Sequence, residues 1–164
     1  NGNAAFNGLA AGTYRVRETE QTGWQVTTPN PSDSVELNSG GQAVIKFGNV
    51  ALAVIRAHKF NDLNGNGQKD ANEPLLDGWT IHISPAVNGI GSGETVNGAV
   101  SFVDLYPNTY TVWEMQQAGW CATTAVTRTV TVNNLDFKEV WFGNRLCPAT
   151  ATPTPTDTPT ATPT

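Results

Sequence analysis

The hydrophobic and polar positions of residues 51–147 follow the pattern of short β-strands. Segments rich in Val, Thr, Ile and aromatic residues, with alternating apolar and polar positions, are separated by clusters of Gly, Asn and Pro. No segment has the spacing of apolar positions that an amphipathic helix requires. The number and spacing of the segments predict an all-β fold, a β-sandwich. The predicted strands cover residues 53–60, 78–84, 94–103, 109–115, 125–132 and 137–143.

Three of these strands carry a polar residue on a face that is otherwise apolar. Successive side chains of a strand point to opposite faces, so every second residue shares a face. Lys59, Glu114 and Asn144 each end such an apolar set, and we expect them to meet inside the sandwich. Burying these groups is costly unless they satisfy one another. The sets are Ile55, Ala57 and Lys59; Tyr110, Val112 and Glu114; and Val140, Phe142 and Asn144.

Three interpretations of this polar trio remain open. In the first, burial keeps the amine of Lys59 neutral and it attacks the side-chain amide of Asn144, while Glu114 holds the carbonyl and shuttles protons. Ammonia then leaves, and an isopeptide bond ties the first strand to the last. In the second, Lys59 and Glu114 form a buried ion pair with Asn144 as a hydrogen-bond partner. In the third, Lys59 extends from the strand end to solvent.

An internal repeat is visible in the sequence. The segment FNGLAAGTYRVRETEQTGWQVTT, residues 6–28, aligns without a gap with FVDLYPNTYTVWEMQQAGWCATT, residues 102–124. Each copy continues through a Thr/Val segment and ends in the tripeptide Phe-Gly-Asn, at residues 47–49 and 142–144. Such self-similarity indicates tandem modules of one fold.

The repeat predicts one complete module and one incomplete module. Residues 51–147 form the complete one, whereas residues 1–50 form only the C-terminal half of another, in which Glu18 and Asn49 repeat two of the inward polar residues. The strands of the half-module would lack partners, and exposed strand edges invite pairing. We expect the missing strands to come from upstream residues or, by donor-strand exchange in a filament, from a neighbouring chain.

The stretch DLNGNGQKDANE, residues 62–73, matches the calcium-loop pattern D-x-[DN]-x-[DN]-G-x5-E at each specified position. Oxygen ligands at this spacing suit Ca²⁺, and the mixture of carboxylates with neutral Asn predicts weak to moderate affinity, suited to extracellular calcium. Strands rather than helices flank the loop, so the ion would stiffen it. The alternative is an Asn/Gly-rich turn without a metal. The expected ligands are Asp62, Asn64, Asn66, the carbonyl of Gln68, Asp70 through water, and Glu73.

Composition and charge narrow the class of protein. The net charge is −5 and no basic run occurs, which argues against nucleic acid as a partner. No apolar run has the length of a membrane span, so no membrane insertion is expected in this segment. The chain begins with Asn1, and we therefore expect a processed product or an excised fragment.

The end of the chain has a different composition. Residues 148–164 consist almost entirely of Thr, Pro and Ala and have nothing to bury, so we predict a disordered tail that acts as a stalk or linker. Such tracts carry O-linked sugars or serve as plain spacers, and both alternatives stay open. If the chain is exported, as the tail composition suggests, Cys121 and Cys147 are expected to form a disulfide.

Three segments together resemble a known family: HKFNDLNGNGQKDANEPLLDGWTI, then NTYTVWEMQQAGW, then FGN. They are similar to the B-type repeats of bacterial surface adhesins, such as the collagen adhesin and the serine-aspartate-repeat proteins. The resemblance covers residues 51–144 fully and residues 4–49 as a partial copy. It implies Ig-like or transthyretin-like β-sandwich modules in tandem that act as stalks, bind calcium in this loop and carry Lys–Asn isopeptide bonds. Lys59, Asn144 and the helper Glu114 match the cross-link residues.

These features predict an extracellular structural module at the bacterial cell surface: a stalk, an adhesin repeat or a fibre subunit. Its expected partners are adjacent repeats or identical subunits. Ca²⁺, the disulfide and the Lys59–Asn144 bond would make it rigid.

The alternative function is a carbohydrate- or ligand-binding module. By alternation Trp113 and Trp141 point away from the core, where they could stack on a glycan or contact a surface ligand. They could equally pack against an adjacent module. An enzyme with turnover is not expected, because neither His58 nor His82 has a nucleophile pattern near it.

Overall fold

The structure of the protein, a computed structural model, describes residues 2–148. Except for Pro148, the predicted tail lies outside the described residues. Residues 2–148 contain strands and no helix, in agreement with the all-β prediction, so none of their elements is a helix that could cross a membrane. The strands are β1 (Gly12–Tyr14), β2 (Trp24–Val26), β3 (Val35–Leu37), β4 (Asn49–Ala51), β5 (Ala53–Asn61), β6 (Thr80–Val87), β7 (Ile90–Glu94), β8 (Ala99–Leu105), β9 (Asn108–Glu114), β10 (Trp120–Ala122), β11 (Thr127–Val132) and β12 (Phe137–Leu146).

Strands β5 to β12 form two four-stranded sheets that enclose a common core. One sheet has the order β10-β12-β5-β8 and the other the order β11-β9-β6-β7. Neighbouring strands are antiparallel except β5 and β12, which run in the same direction. This part of the chain is therefore a β-sandwich. Its core consists of Ala53, Ile55, Ala57, Ile81, Ile83, Val87, Phe102, Leu105, Tyr110, Val112, Val132 and Phe142.

The alternation of side chains explains which residues form this core. In β5, Ile55 and Ala57 are fully buried while Arg56 between them is exposed. In β9, Tyr110 and Val112 are buried in the same way. Removing apolar surface from water stabilises the fold by roughly 25 cal/mol per Å². The inward-facing apolar residues are thus the main source of stability.

The predicted strand over residues 94–103 is wrong, because the chain turns in its middle. β7 ends at Glu94 and β8 begins at Ala99. Between them, Asn97 and Gly98 have φ angles of 52° and 72°, in the left-handed region that such tight turns require. The Asn-Gly pair in the sequence was the signal for this turn. The short β10 was not predicted either, since three residues show no period.

Residues 2–51 form two small two-stranded sheets. β1 pairs with β3, and β2 pairs with β4, both antiparallel. The corresponding pairs of the repeat, β9 with β11 and β10 with β12, lie at one side of each large sheet. No apolar side chain of residues 2–50 is buried. This part therefore has strand pairs that repeat those of the sandwich, without a core of its own.

A tyrosine contact occurs in both copies of the repeat. The Tyr14 hydroxyl donates to the carbonyl of Ala10 at 2.8 Å, and the Tyr110 hydroxyl donates to the carbonyl of Tyr106 at 3.0 Å. Each bond fixes the chain just before the corresponding strand. The local structure of the half-module therefore follows that of the sandwich even without the sandwich core.

The glycine of the Phe-Gly-Asn tripeptide has a packing role in both copies. A Cβ atom on Gly143 would lie 2.6 Å from Cζ of Phe60 and 2.7 Å from Oγ1 of Thr123. A Cβ atom on Gly48 would lie 2.8 Å from Oγ1 of Thr27. These distances are too short for any side chain, so the neighbouring residues require glycine at both places.

Candidate functional site

Strands β5, β9 and β12 bring the three inward polar residues together. In the parallel pairing of β5 with β12, Lys59 lies opposite Phe142, so Asn144 is two residues further along on the same face. Glu114 is the last residue of β9 in the facing sheet. Lys59 and Asn144 have no exposed surface, and Glu114 is 4% exposed. The interpretation in which Lys59 extends to solvent is therefore wrong.

The amine of Lys59 lies between a carboxylate, a carbonyl and an aromatic ring. Its Nζ is 2.6 Å from Oε2 of Glu114 and donates to the carbonyl of Phe142 at 3.3 Å. The centre of the Trp79 ring is 4.1 Å from the same Nζ, within the range of a cation–π contact. The other carboxylate oxygen of Glu114 accepts a hydrogen bond from Nε2 of Gln116 at 2.6 Å. The site thus holds the amine and the carboxylate in fixed positions.

The carboxamide of Asn144 is buried but unpaired. Neither Nδ2 nor Oδ1 has a hydrogen-bond partner among the described residues. Leaving a buried polar group unpaired costs about 1–3 kcal/mol, and such groups are uncommon in folded proteins. The backbone of the residue is satisfied, since its carbonyl accepts the N–H of Asp62 at 2.8 Å. Only the side-chain amide therefore lacks a partner, two residues beyond Phe142, whose carbonyl accepts the Lys59 amine.

Burial also changes the proton affinity of the amine. Desolvation lowers the pKa of Lys59 below 10.5, and the hydrogen bond and charge of Glu114 offset part of this effect. A lowered pKa increases the fraction of neutral amine, which is the nucleophilic form. The buried groups at this end of the sandwich are thus an amine with a lowered pKa, a carboxylate and an unpaired carboxamide.

The predicted calcium loop begins at a buried carboxylate. Asp62 is fully buried and accepts the N–H groups of Gly65, Asn66 and Gly67 at 2.7, 3.1 and 2.7 Å. Desolvation raises the pKa of Asp62, but the nearby Thr123 hydroxyl and these N–H groups outweigh it, so the pKa lies below 3.8. The glycines have φ angles of 75° and 76°, which allow the sharp turn.

The other side chains of the loop converge on Asp70 and Glu73. The Nδ2 atoms of Asn64 and Asn66 both donate to Oδ2 of Asp70, at 2.8 and 3.0 Å. The two oxygens of Glu73 accept the N–H groups of Leu63 and Asp70, at 2.9 and 3.0 Å. These contacts close the loop on itself.

The ligand atoms of the loop are of the type that binds a hard cation, but the side chains are not arranged around a common point. Asp62, Asp70 and Glu73 supply carboxylate oxygens, the ligands that Ca²⁺ prefers. Within residues 2–148, however, no three His, Cys, Asp or Glu side chains form a group that could hold a metal ion. Gln68 is exposed, and its backbone N–H donates to Oδ1 of Asn66 at 2.7 Å. Calcium binding therefore stays a prediction.

Cys121 and Cys147 form the expected disulfide. It joins β10 to the segment that follows β12, where the N–H of Cys147 donates to the carbonyl of Gly119 at 2.8 Å. The two cysteines are 26 residues apart in the sequence. A cross-link that closes a loop of this length stabilises a fold by about 3 kcal/mol in the chain-entropy description.

Trp113 and Trp141 lie on the outer faces of the two sheets and are half-buried. The ring of His82 stacks on Trp113 with centroids 5.1 Å apart, and that of His58 stacks on Trp141 at 4.0 Å. Each indole thus has a histidine ring against one of its faces, which reduces the surface open to a sugar. The sequence pattern indicated no role for the two histidines. The pairs are direct cross-strand neighbours, so only the strand register reveals them.

Two further residues of the site were missed. Trp79 contacts the Lys59 amine, and extending the alternation from Ile81 and Ile83 to the residue just before β6 would have placed it inside, because all three are buried. Gln116, which binds Glu114, lies beyond the end of β9. No periodicity applies there, so the sequence held no signal for its position.

The fold and this enclosed Lys–Glu–Asn group define the chain as an all-β sandwich protein with a polar site inside its core. No known protein family matches the chain, and no curated protein sequence matches it. Among solved structures, it is similar to GBS52, the minor pilin of Streptococcus agalactiae, with a TM-score of 0.48 and 14% identity over 91% of this chain and 66% of that one.

Two further solved structures show a similar likeness. The Bacillus anthracis TIE protein has a TM-score of 0.46 and 20% identity over 84% of this chain and 26% of its own length. A streptococcal ancillary pilin has a TM-score of 0.41 and 21% identity over 84% of this chain and 43% of its own length. This chain spans less than two thirds of either protein, and the likeness concerns the strand arrangement alone.

Proposed function

We propose that the chain is a structural part of an extracellular protein of the bacterial cell surface, a stalk, adhesin repeat or fibre subunit. In this proposal residues 51–147 lock themselves with an isopeptide bond between Lys59 and Asn144. The observation that carries it is the unpaired carboxamide of Asn144, enclosed with a buried amine and a buried carboxylate. A permanent tie between the first and last strands of a sandwich serves rigidity, not turnover.

The bond forms by exchange of one amide for another. The neutral Nζ of Lys59 adds to Cγ of Asn144, and Glu114, 2.6 Å from the amine, takes the proton that the amine loses. Glu114 returns this proton to Nδ2, the Cγ–Nδ2 bond breaks and ammonia leaves. No oxidant or reductant is needed. The reaction occurs once in each module and consumes both side chains, so it is not enzymatic turnover.

The disulfide and a calcium ion contribute to the same rigidity in this proposal. The loop of residues 62–73 supports Ca²⁺ through its sequence pattern and its carboxylates, of which Asp62 and Glu73 are buried. Binding requires Asn64 and Asn66 to present amide oxygens, and rotation of each carboxamide supplies them. The bound ion would add a positive charge among three carboxylates and hold the connection between β5 and β6.

The mass of the protein tests the isopeptide bond directly. We expect residues 51–147, released by proteolysis and reduced, to weigh one ammonia less than their sequence. Lys59→Arg and Asn144→Ala should each restore the full mass for their sequence. As matched controls, Lys138→Arg and Asn133→Ala, both at exposed positions, should keep the deficit. If the unsubstituted protein had the full mass of its sequence, the isopeptide bond would be excluded and the site would be a buried ion pair.

A second candidate function is carbohydrate binding, favoured by a cleft between residues 20–25 and the sandwich. Its volume is about 370 Å³, and its lining includes Trp24 and Tyr106, which are 42% and 45% exposed. Glu20 and Asp104 belong to the same lining, so the cleft offers both aromatic rings and hydrogen-bond acceptors to a sugar. Glycan-array binding that is lost in Trp24→Ala and kept in Trp113→Ala would support it. Absence of binding to any glycan would exclude it.

A further inference from the structure

The repeat extends to the first residues of the chain. Residues 2–9 align without a gap with residues 98–105, which contain β8 and the glycine before it. The aligned apolar residues differ sharply in exposure: Phe102 is 5% and Leu105 is 0% exposed, whereas Phe6 is 67% and Leu9 is 46% exposed. In the sandwich β8 pairs with β5, and residues 2–51 contain no counterpart of β5. Residues 2–9 therefore lack the strand that buries their equivalents.

The position of the missing strand follows from the sheet order. In the order β10-β12-β5-β8, β5 lies between β12 and β8. In the half-module, residues 42–51 correspond to β12 and residues 3–9 to β8, so one strand is missing between them. The same strand would give residues 42–51 a parallel partner, as β5 is the parallel partner of β12 in the sandwich.

The extent of β4 supports this assignment. β12 is ten residues long, whereas β4 has only three residues, Asn49–Ala51. These three pair with β2, as the last three residues of β12 pair with β10. Residues 42–48 correspond to the first part of β12, which pairs with β5 and not with β10. These residues form no strand. The strand pattern therefore ends where a β5-like partner becomes necessary.

One carboxylate oxygen at this position lacks a partner among residues 2–148. Oε2 of Glu18 accepts Nδ2 of Asn49 at 2.9 Å, but its Oε1 is buried and unpaired among the described residues. In the sandwich, the equivalent Glu114 contacts the amine of Lys59 on β5. By analogy with this contact, a lysine at the place of Lys59 in the missing strand would supply the donor that Oε1 of Glu18 lacks.

We propose that residues 2–51 are an acceptor for a polypeptide segment of the type formed by β5, β6 and β7. Its first strand lies between residues 3–9 and residues 42–51, parallel to the latter, and its lysine pairs with Glu18. The hairpin that follows pairs with β1 as β6 pairs with β9. The source is the same polypeptide, ahead of Asn1, because the sequence Asn-Gly at residues 1–2 matches Asn97-Gly98, which forms the turn from β7 into β8.

Hydrogen exchange on the full chain tests this proposal. One protein is the chain as it is, and the other carries a copy of residues 53–96 fused ahead of Asn1. We expect amides of residues 3–9 and 42–48 to exchange at least about tenfold more slowly in the fused protein. Unchanged exchange in these segments would overturn the proposal. The proposal would also be overturned if these amides in the unfused chain were protected and their protection increased with protein concentration. A second copy of the chain would then cover these edges.

Two variants of the fused copy test the role of the lysine. Replacing the copied Lys59 by Met should make these amides exchange at least about tenfold faster than in the fused protein, since Glu18 again lacks a cation. Replacing the copied Arg56, which is exposed in β5, by Met should leave the protection unchanged. Equal protection in both would show that Glu18 does not select the segment. Asn144→Ala should not alter exchange in residues 2–51, so failure of the isopeptide reaction and failure of this proposal are distinguishable.

Discussion

The amine of Lys59 lies 2.6 Å from the carboxylate of Glu114, and neither side chain has any exposed surface. Removing one partner of such a pair leaves the other charge buried and costs about 3–5 kcal/mol. Glu114→Gln should therefore destabilise the module by at least this amount in urea unfolding, since the variant also loses the cross-link. Because Gln cannot carry the proton between the two nitrogens, the loss of ammonia should also stop, as mass spectrometry would reveal.

The matched control for this variant is Glu139→Gln. Glu139 also contacts a basic side chain, Nε2 of His58 at 2.9 Å, but its own side chain is 47% exposed. An exposed pair contributes about 0–1 kcal/mol, so both stability and mass deficit should remain nearly unchanged. If both substitutions had the same effect, the enclosed position of Glu114 would not matter.

Replacing the whole pair distinguishes the cross-link from an ion pair. A buried ion pair replaced by apolar residues of similar size is often neutral or stabilising by about 1–4 kcal/mol. A covalent tie across the long loop between Lys59 and Asn144 contributes about 4 kcal/mol by restricting the unfolded chain. We therefore expect Lys59→Met/Glu114→Leu to lower the free energy of unfolding by several kcal/mol. A neutral or stabilised double variant would support the ion pair.

Stability should depend on pH in a protein that cannot form the bond. In Asn144→Ala the amine of Lys59 is free, and its pKa in the folded state lies below the 10.5 of the unfolded chain. Between these two values the unfolded state binds more protons, so the free energy of unfolding rises as pH increases. Below the folded-state pKa the full desolvation cost remains. Urea unfolding between neutral pH and pH 10.5 measures the rise.

The control for this pH dependence is Asn144→Ala/Lys59→Met, which has no amine at the site. Its stability curve over the same range should lack the rise. Parallel curves for the two variants would mean that another group causes the dependence.

Calcium should raise the melting temperature if the loop of residues 62–73 binds it. At about 100 times the dissociation constant, a ligand that binds only the folded state adds about 2.7 kcal/mol. Glu73→Gln should remove the difference between calcium and chelator, because one ligand charge is lost. Glu94→Gln, an exposed change of equal charge outside the loop, should retain it. Identical melting of the unsubstituted protein in calcium and chelator would exclude the site.

The glycine of the Phe-Gly-Asn tripeptide should not tolerate a side chain. Gly143→Ala places a Cβ atom against the ring of Phe60, and overpacking of this kind costs about 1–3 kcal/mol. Gly91→Ala is the control, because the nearest atom to its Cβ is at an ordinary 3.6 Å and its φ is not positive. Chemical denaturation of both variants measures the difference. Equal stability would show that Phe60 can move away.

Alternation along single strands predicted more of this protein than any other signal. It was sufficient to place Lys59, Glu114 and Asn144 inside, because each strand was long enough to define two faces. It also places Trp79 inside with Ile81 and Ile83, but the contact of Trp79 with the amine depends on how the two sheets pack. The stacking of His58 on Trp141 depends on the register of β5 against β12, which a single strand does not contain.

The half-module shows the converse limit of local sequence patterns. Residues 42–48 have the same type of sequence as the start of β12, yet they form no strand, because a strand needs a hydrogen-bonded neighbour. The sequence repeat therefore matches residues 42–48 to the start of β12, whereas the structure gives them a different conformation. The same reason explains why Phe6 and Leu9 are exposed although their equivalents are core residues.

The parallel pairing of β5 with β12 sets the route that tension takes through the protein. The chain joins the module at the start of β5 and leaves it at the end of β12, which lies at the opposite end of the pair. A pull on the two ends therefore shears all registered residue pairs, from Val54 with Phe137 to Asn61 with Asn144, together. A bond from Lys59 to Asn144 would pass this load directly from one strand to the other, and the loops and strands between them would carry none of it.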